Sequence, residues 1–324
     1  MQNLHTESPS TGQANLSLSG LVKATDITPR FPEALSSSLI DKYRSCPRAF
    51  FWEYCANRVP VVPSVHLLAG GAYADGMRAY RKAYYEEGLD FDSAVHRGVE
   101  AIIKTYGDFE PADGKKPYYR VIDAFLGYFD YFGTPNIDPF APAKVHDSLA
   151  VEFGFVVPLP ISNPETGDPI LYAGRFDAIM QAGDARPFVY DDKTTGSMGE
   201  SWAEKWETRG QLLGYIWGAR EVGINVRGAI VRGAGILKTK LHYADTILMP
   251  PQWKLDDWYD SLLHTVRQIV ADWKSLRFHR AWGEPCSQYG GCGYKDLCMT
   301  QTPAVPNFSA YQERTWSPVE VEHL

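Results

Sequence analysis

The chain has 324 residues, 44% hydrophobic and 22% charged, which suits a folded protein with a sizeable core. Lys and Arg total 32 against 39 Asp and Glu, and the net charge of −7 excludes a generally basic nucleic-acid coat while leaving room for a local basic groove. No apolar run is long enough to span a bilayer, and the N-terminus lacks the basic start and apolar core of a secretory signal, so a cytoplasmic protein without a membrane partner is expected.

Residues 1–33 are rich in Ser, Thr, Gln and Asn and read as a loose arm. Ser37 or Ser38 can cap a short helix whose apolar face is Leu39, Ile40 and Tyr43. Pro47 suits a first helical turn, which sets Cys46 at a junction between two helices. Residues 66–135 carry a helical pattern with Tyr73, Tyr80, Tyr84, Phe125 and Tyr128, and a proline-bearing connection follows over 136–144. Three strands are then predicted over 149–159, 170–181 and 187–193, the first two joined by the turn SNPETGD. Residues 201–222 have helical spacing through Trp202, Trp206, Leu213, Ile216 and Trp217, and further strands are expected over 229–237 and 241–249. A long amphipathic helix over 252–278 precedes a cysteine-rich segment and a proline-broken tail. Helices, then β-β-β-α-β-β, then a helix make an α/β or α+β core behind a helical insertion. The expected division is an arm (1–33), one domain (34–299) and a tail (300–324). Within the domain the helical part is 34–145, the core 146–250 and the closing helix with its cysteines 251–299. Nine Trp and 19 Tyr can stack on nucleic-acid bases, though aromatic residues more often build the core.

The acidic residues carry the chemistry. Asp191, Asp192 and Lys193 end the apolar run Phe188-Val189-Tyr190, so their charges emerge from the end of a buried strand. Asp177 lies in GRFD on the preceding strand, and a hairpin would set it beside Asp191. Two carboxylates so close repel unless a divalent cation sits between them. Lys193 is then near enough to orient or deprotonate a water, the minimum equipment for phosphodiester hydrolysis. The plainer reading is a pair of turn or surface acids. Two other D-x-K triplets, Asp113-Gly-Lys115 and Asp272-Trp-Lys274, receive no role. Arg209, Arg220, Arg232, Lys238 and Lys240 are candidates for a DNA path, or ordinary solvated surface.

Five cysteines do not form a small secreted disulfide framework. Cys286, Cys292 and Cys298 stand at x5 spacings, wider than the two-to-four-residue gaps usual in zinc ribbons and knuckles. Three thiolates need a fourth ligand, and Cys46 in CPRAF is the best candidate, with Cys55 as its alternate or a plain buried thiol.

Asp177, Asp191 and Lys193 together resemble the PD-(D/E)XK nuclease superfamily, and Gln211-Leu-Leu-Gly-Tyr215 is similar to the Q-x-x-x-Y helix of its RecB-like branch. The resemblance implies a restriction-endonuclease-like fold, a central mixed sheet flanked by helices. It implies Mg²⁺ or Mn²⁺ held by Asp177, Asp191 and the Asp192 carbonyl, with Lys193 at the attacking water and Gln211 and Tyr215 positioning the strand. Glu152, in VEFGF, is placed like the acid that many RecB-like members carry on their first core strand. Asp75, in Gly71-Ala-Tyr-Ala-Asp75, stands where the family usually has a metal-binding His, and either replaces it or is a surface acid. The implied activity is a single-stranded DNA exonuclease of recombination, repair or replication, with a helicase or integrase as a possible partner. The rival is a non-catalytic or partner-dependent DNA-end protein of the same fold. The cysteines are similar to the iron–sulfur subset, which includes AddB-type and CRISPR-adaptation nucleases. That likeness implies a 4Fe-4S cluster on Cys46, Cys286, Cys292 and Cys298, with zinc as the alternative.

Overall fold

The computed structural model describes residues 28–61, 64–107, 116–145, 147–287, 291–299 and 310–314. The N-terminal arm up to residue 27, the Asp113-Gly-Lys115 triplet and most of the tail lie outside them.

The ordered chain opens with β1 (Ala34–Leu35) and α1 (Ser37–Ser45). Ser36, rather than Ser37 or Ser38, is the cap, its hydroxyl accepting from the Leu39 amide at 3.4 Å, while the Ser37 hydroxyl is bonded to that of Tyr172 at 2.7 Å. Pro47 starts α2 (Pro47–Phe50), which runs on as a π-turn through Cys55, so Cys46 stands between two helices as expected. After β2 (Arg58–Pro60) come three helices: α3 (Val65–Arg81), α4 (Phe91–Tyr106) and α5 (Tyr118–Phe132). The short strands β3 (Ala141–Pro142), β4 (Lys144–Val145) and β5 (Ser148–Leu149) lead into β6 (Val151–Ser162), β7 (Pro169–Gln181) and β8 (Phe188–Thr195).

The helix expected over 201–222 is broken. Two 3-10 segments (Glu200–Trp202 and Glu204–Thr208) precede α6 (Gly210–Glu221), because Arg209 is extended at ψ 113° and restarts the helix. Then follow β9 (Ala229–Ile236), β10 (Leu241–Leu248) and α7 (Gln252–Ser275). The last ends short of Phe278, because Leu276 turns left-handed at φ 54°. A short α8 (Lys295–Met299) carries the last cysteine. Within the tail, β11 (Tyr311–Glu313) pairs antiparallel with β2.

The main sheet is mixed. Its order is β1-β7-β8-β9-β10, with β6 and β3 also on β7, and β1/β7 and β8/β9 are its parallel pairs. Helices cover both faces. Ala229 and Val231 of β9 join the core under α1, α2, α6 and α7, whereas Ala234 and Ile236 join the aromatic cluster of α3, α4 and α5. A strand buried on both faces reads as a continuous apolar run, as β9 does.

Phe155 fixes α6 to the sheet. Its ring stacks on Phe176 with centroids 5.2 Å apart, and a Cβ at Gly218 would come within 2.2 Å of it, one at Gly174 within 2.4 Å. Only glycine leaves room for the ring between helix and strand.

Arg232 leaves the proposed DNA path. It is 4% exposed, is ion-paired with Asp138, and lies over the Phe132 ring at 4.4 Å. Arg220 donates to the Val226 carbonyl. Among the described residues no helix is long and apolar enough to cross a membrane.

Candidate active site

A split in the sheet makes the cleft. β8 pairs with β7 only from Ala178–Tyr190 to Met180–Phe188, and β1 takes the same edge of β7 at Leu171 and Tyr172. β6 occupies the opposite edge, so residues 173–177 of β7 have no strand beside them on the β8 side. A cleft of about 390 Å³ opens there, lined by Asp177, Asp191, Lys193, Gln211 and Tyr215 together with Arg175. The structure thus brings together all five side chains singled out for catalysis.

Antiparallel register carries Asp177 next to Asp191. Lys193, two residues along and on the same face, contacts both Asp191 oxygens at 2.9 and 2.7 Å. Asp177 Oδ2 accepts from the Asp192 amide at 2.7 Å. Burial, then the charges of Asp191 and Asp192, push the Asp177 carboxyl up to about 7. Burial also raises Asp191, against the pull of Lys193. Burial alone would lower the Lys193 ammonium, but Asp191 and Asp177 outweigh it and hold it above its ordinary value. The pocket therefore contains more buried negative charge than one lysine neutralises. Gln211 Nε2 donates to the Tyr215 hydroxyl at 2.9 Å, one turn along α6, and the Tyr215 ring stands edge-on to Phe176 at 5.4 Å.

Two sequence candidates, Asp75 and Glu152, are placed otherwise, and Asp192 offers its main chain. Asp75 is next to Ala74, which lines the cleft, but one helical step turns it away; it accepts from Arg78 at 2.8 Å and Thr105 at 2.7 Å. Glu152 is held by Arg78 at 2.9 Å and Arg175 at 3.1 Å. The Asp192 side chain lies behind the sheet, paired with Arg81 at 2.6 Å, so this residue faces the site through its main chain.

Among the lining residues that escaped the sequence reading are Arg175, Ser36, His66 and Gly70. Arg175 was legible in principle, because strand alternation puts it on the face of Asp177. His66, Gly70 and Ala74 form an i, i+4, i+8 stripe along α3, a spacing that would have separated them from Asp75. Ser36 carries no such signal.

Among the described residues no three His, Cys, Asp or Glu side chains converge on one metal-ion position. The acidic pair still fits a divalent cation. Mg²⁺ is often held by one or two carboxylates, with water and substrate phosphate completing its shell, and Asp177 and Asp191 are such a pair, both raised first by burial.

The cysteines form a second centre. Cys46, Cys286, Cys292 and Cys298 line one cavity of about 280 Å³, and the Cys292 amide donates to the Cys286 carbonyl at 3.1 Å. Arg280 also lines it, and Arg48 interacts electrostatically with Cys298 and Cys46. The Nε of each arginine is buried without a hydrogen-bond partner. Four thiols around one cavity, with the Arg280 guanidinium bonded to Cys298, fit an anionic, thiolate-bound group. Cys55 is absent from the lining and 3% exposed, and burial pushes its thiol up.

The family model of the PD-(D/E)XK nuclease superfamily matches residues 34–299. A comparison with curated proteins finds no match. Among solved structures, one named as a proposed exonuclease from Eubacterium rectale is 12% identical, with a TM-score of 0.46 over 86% of this chain and 91% of its own. Another, named SSO0001, is 15% identical, with a TM-score of 0.32 over 70% of this chain and 84% of its own.

Proposed function

Because the chain belongs to the PD-(D/E)XK nuclease superfamily, we propose that its cleft hydrolyses DNA phosphodiesters with Mg²⁺ or Mn²⁺, acting as an exonuclease on single-stranded ends. The observation that carries this reading is the convergence of Asp177, Asp191 and Lys193 on the unpaired edge of β7, with Gln211 and Tyr215 facing them from α6. Asp177 and Asp191 would hold the cation, which when bound lowers the pKa of water and offsets phosphate charge. Lys193 is poised on Asp191 to position the attacking water and to stabilise negative charge developing on phosphate. Gln211 and Tyr215, tied to each other, offer an amide and a hydroxyl to the nucleic-acid backbone. Arg175 adds a guanidinium on the same wall. Glu152 and Asp75 belong to an ion cluster with Arg78 and Arg175 beside the cleft, and their role is to hold Arg175 in place rather than to bind the cation. The experiment is digestion of end-labelled single-stranded and duplex DNA, linear and circular, with Mg²⁺ or Mn²⁺. Loss of label from linear single strands with circles intact is expected. Cleaved circles would replace the exonuclease with an endonuclease, and no cleavage at all would favour a partner-dependent DNA-end protein.

We further propose that the branch is RecB-like and that Cys46, Cys286, Cys292 and Cys298 hold a 4Fe-4S cluster. Support comes from their common cavity and the Arg280 guanidinium bonded to Cys298 on its wall. Protein purified without oxygen should be brown, with about four irons per chain as the cluster requires. Cys292→Ser should bleach it, whereas Cys55→Ser should not. A colourless wild-type protein with stoichiometric zinc would refute the cluster.

A further inference from the structure

Asp192 fills the position between the second acid and the lysine. Its side chain is 1% exposed and lies on the face of β8 opposite theirs. There it pairs with Arg81, itself 2% exposed, at 2.6 Å, and accepts from the Tyr190 hydroxyl at 3.1 Å. The Arg81 guanidinium also lies over the Tyr190 ring at 4.8 Å. The Tyr190 hydroxyl continues to that of Tyr128 at 2.9 Å, which accepts from Arg232 at 2.6 Å. This polar chain ties α3, α5, β8 and β9 together behind the cleft. In front, where the β7 pairing of β8 has ended, the Asp192 amide donates to Asp177 Oδ2 at 2.7 Å. One residue thus has its side chain clamped on one face of the strand and its amide holding the first acid on the other.

We propose that Arg81 is a positioning residue for the reaction: by clamping Asp192 it fixes the amide that orients Asp177, and so sets the spacing of the two carboxylates that receive the cation. Two observations argue that the clamp does more than stabilise. A buried ion pair is poor evidence of stability, since apolar residues of similar volume often serve as well. Arg81 also sits at the end of α3, whose earlier turns line the cleft through Gly70, Gly71 and Ala74, so one helix bounds the site in front and anchors it behind.

The inference rests on the nuclease reading, and its test separates the two. Arg81→Met, Asp192→Asn, the double variant and Arg81→Lys are compared with wild type. The readouts are Mn²⁺ affinity by electron paramagnetic resonance, melting temperature, and kcat and KM on single-stranded DNA. Arg81→Met should melt early and bind Mn²⁺ at least about tenfold more weakly. The double variant leaves no unpaired charge and should regain most of the melting temperature, yet keep the weak Mn²⁺ affinity and a low kcat at nearly unchanged KM. Recovery of both stability and Mn²⁺ affinity in the double variant overturns the inference. Should that variant not fold, Arg81→Lys decides: weaker Mn²⁺ binding at unchanged melting temperature supports it, and unchanged binding overturns it. Wild-type protein that binds no Mn²⁺ removes the nuclease reading and this inference together.

Discussion

Lys193→Ala and Asp191→Asn are each expected to lower DNA cleavage on the order of 10³-fold or more, with KM for DNA moving far less than kcat. Lys193 is the cation that touches both Asp191 oxygens, at 2.9 and 2.7 Å, and it faces the same cleft. Removing it leaves two raised, buried carboxylates without the one cation in contact with Asp191, and takes away the group proposed to position the attacking water. Asp191→Asn keeps the shape but removes a hard anionic donor, so divalent affinity should fall with rate. The same change takes away a charge that pushes Asp177 up, so the Asp177 carboxyl should titrate below its wild-type value near 7. Side-by-side kinetics on end-labelled single strands, with Mn²⁺ titrations of each variant, check both statements. Wild-type rates in either variant would remove the chemistry from this cleft.

Phe155→Ala should reduce the free energy of unfolding by about 3–5 kcal/mol, the range for deleting a buried aromatic ring. The ring is 1% exposed and touches Phe176, Tyr172 and Tyr215, with centroids 5.2, 5.8 and 6.4 Å away. It also fills the gap that Gly174 and Gly218 leave between β7 and α6. Neighbouring backbone on both sides limits collapse, which places the loss toward the upper end. Because α6 carries Gln211 and Tyr215, the folded fraction should also position DNA less well and show a raised KM. Urea unfolding followed by tryptophan fluorescence measures the first effect, and steady-state kinetics at a temperature where the variant is folded measure the second. A loss under 1 kcal/mol would mean that the helix does not depend on this ring.

The long strands β6 to β10 were legible in the sequence as alternating or apolar runs, with a turn sequence between the first two, whereas β8 runs on past its charges to Thr195 and the two- and three-residue strands left no signal. The same signal made Asp177, Asp191 and Lys193 legible, since hairpin register and alternation alone set them side by side. The helix over 201–222 was misread because Trp202 and Trp206 are four apart, yet each belongs to a 3-10 turn against the sheet. Nothing local announces the extended Arg209. Asp75 and Glu152 were placed at the cation on family likeness. Arg78 stands one turn beyond Asp75 on the same helix, a pairing the spacing already offered, whereas Arg78 and Arg175 reach Glu152 from other elements only in the tertiary fold. Arg232 looked like solvated surface for the same reason: its partner Asp138 lies in a connection far away in sequence.

β1 has a consequence for how the molecule is made. Its two residues pair in parallel with Leu171 and Tyr172, and such distant contacts must wait until the chain between them is complete. On the ribosome the first ordered strand and α1 therefore emerge long before the strand that receives them, and Cys46 emerges with them. The cavity cysteines that follow α7 appear later still. Cys46 is thus made without its three cavity partners, and the four-thiol cavity proposed to hold a cluster is complete only once the segment after α7 has been made. Loading late, onto an already folded core, would keep a half-built site from capturing the wrong metal.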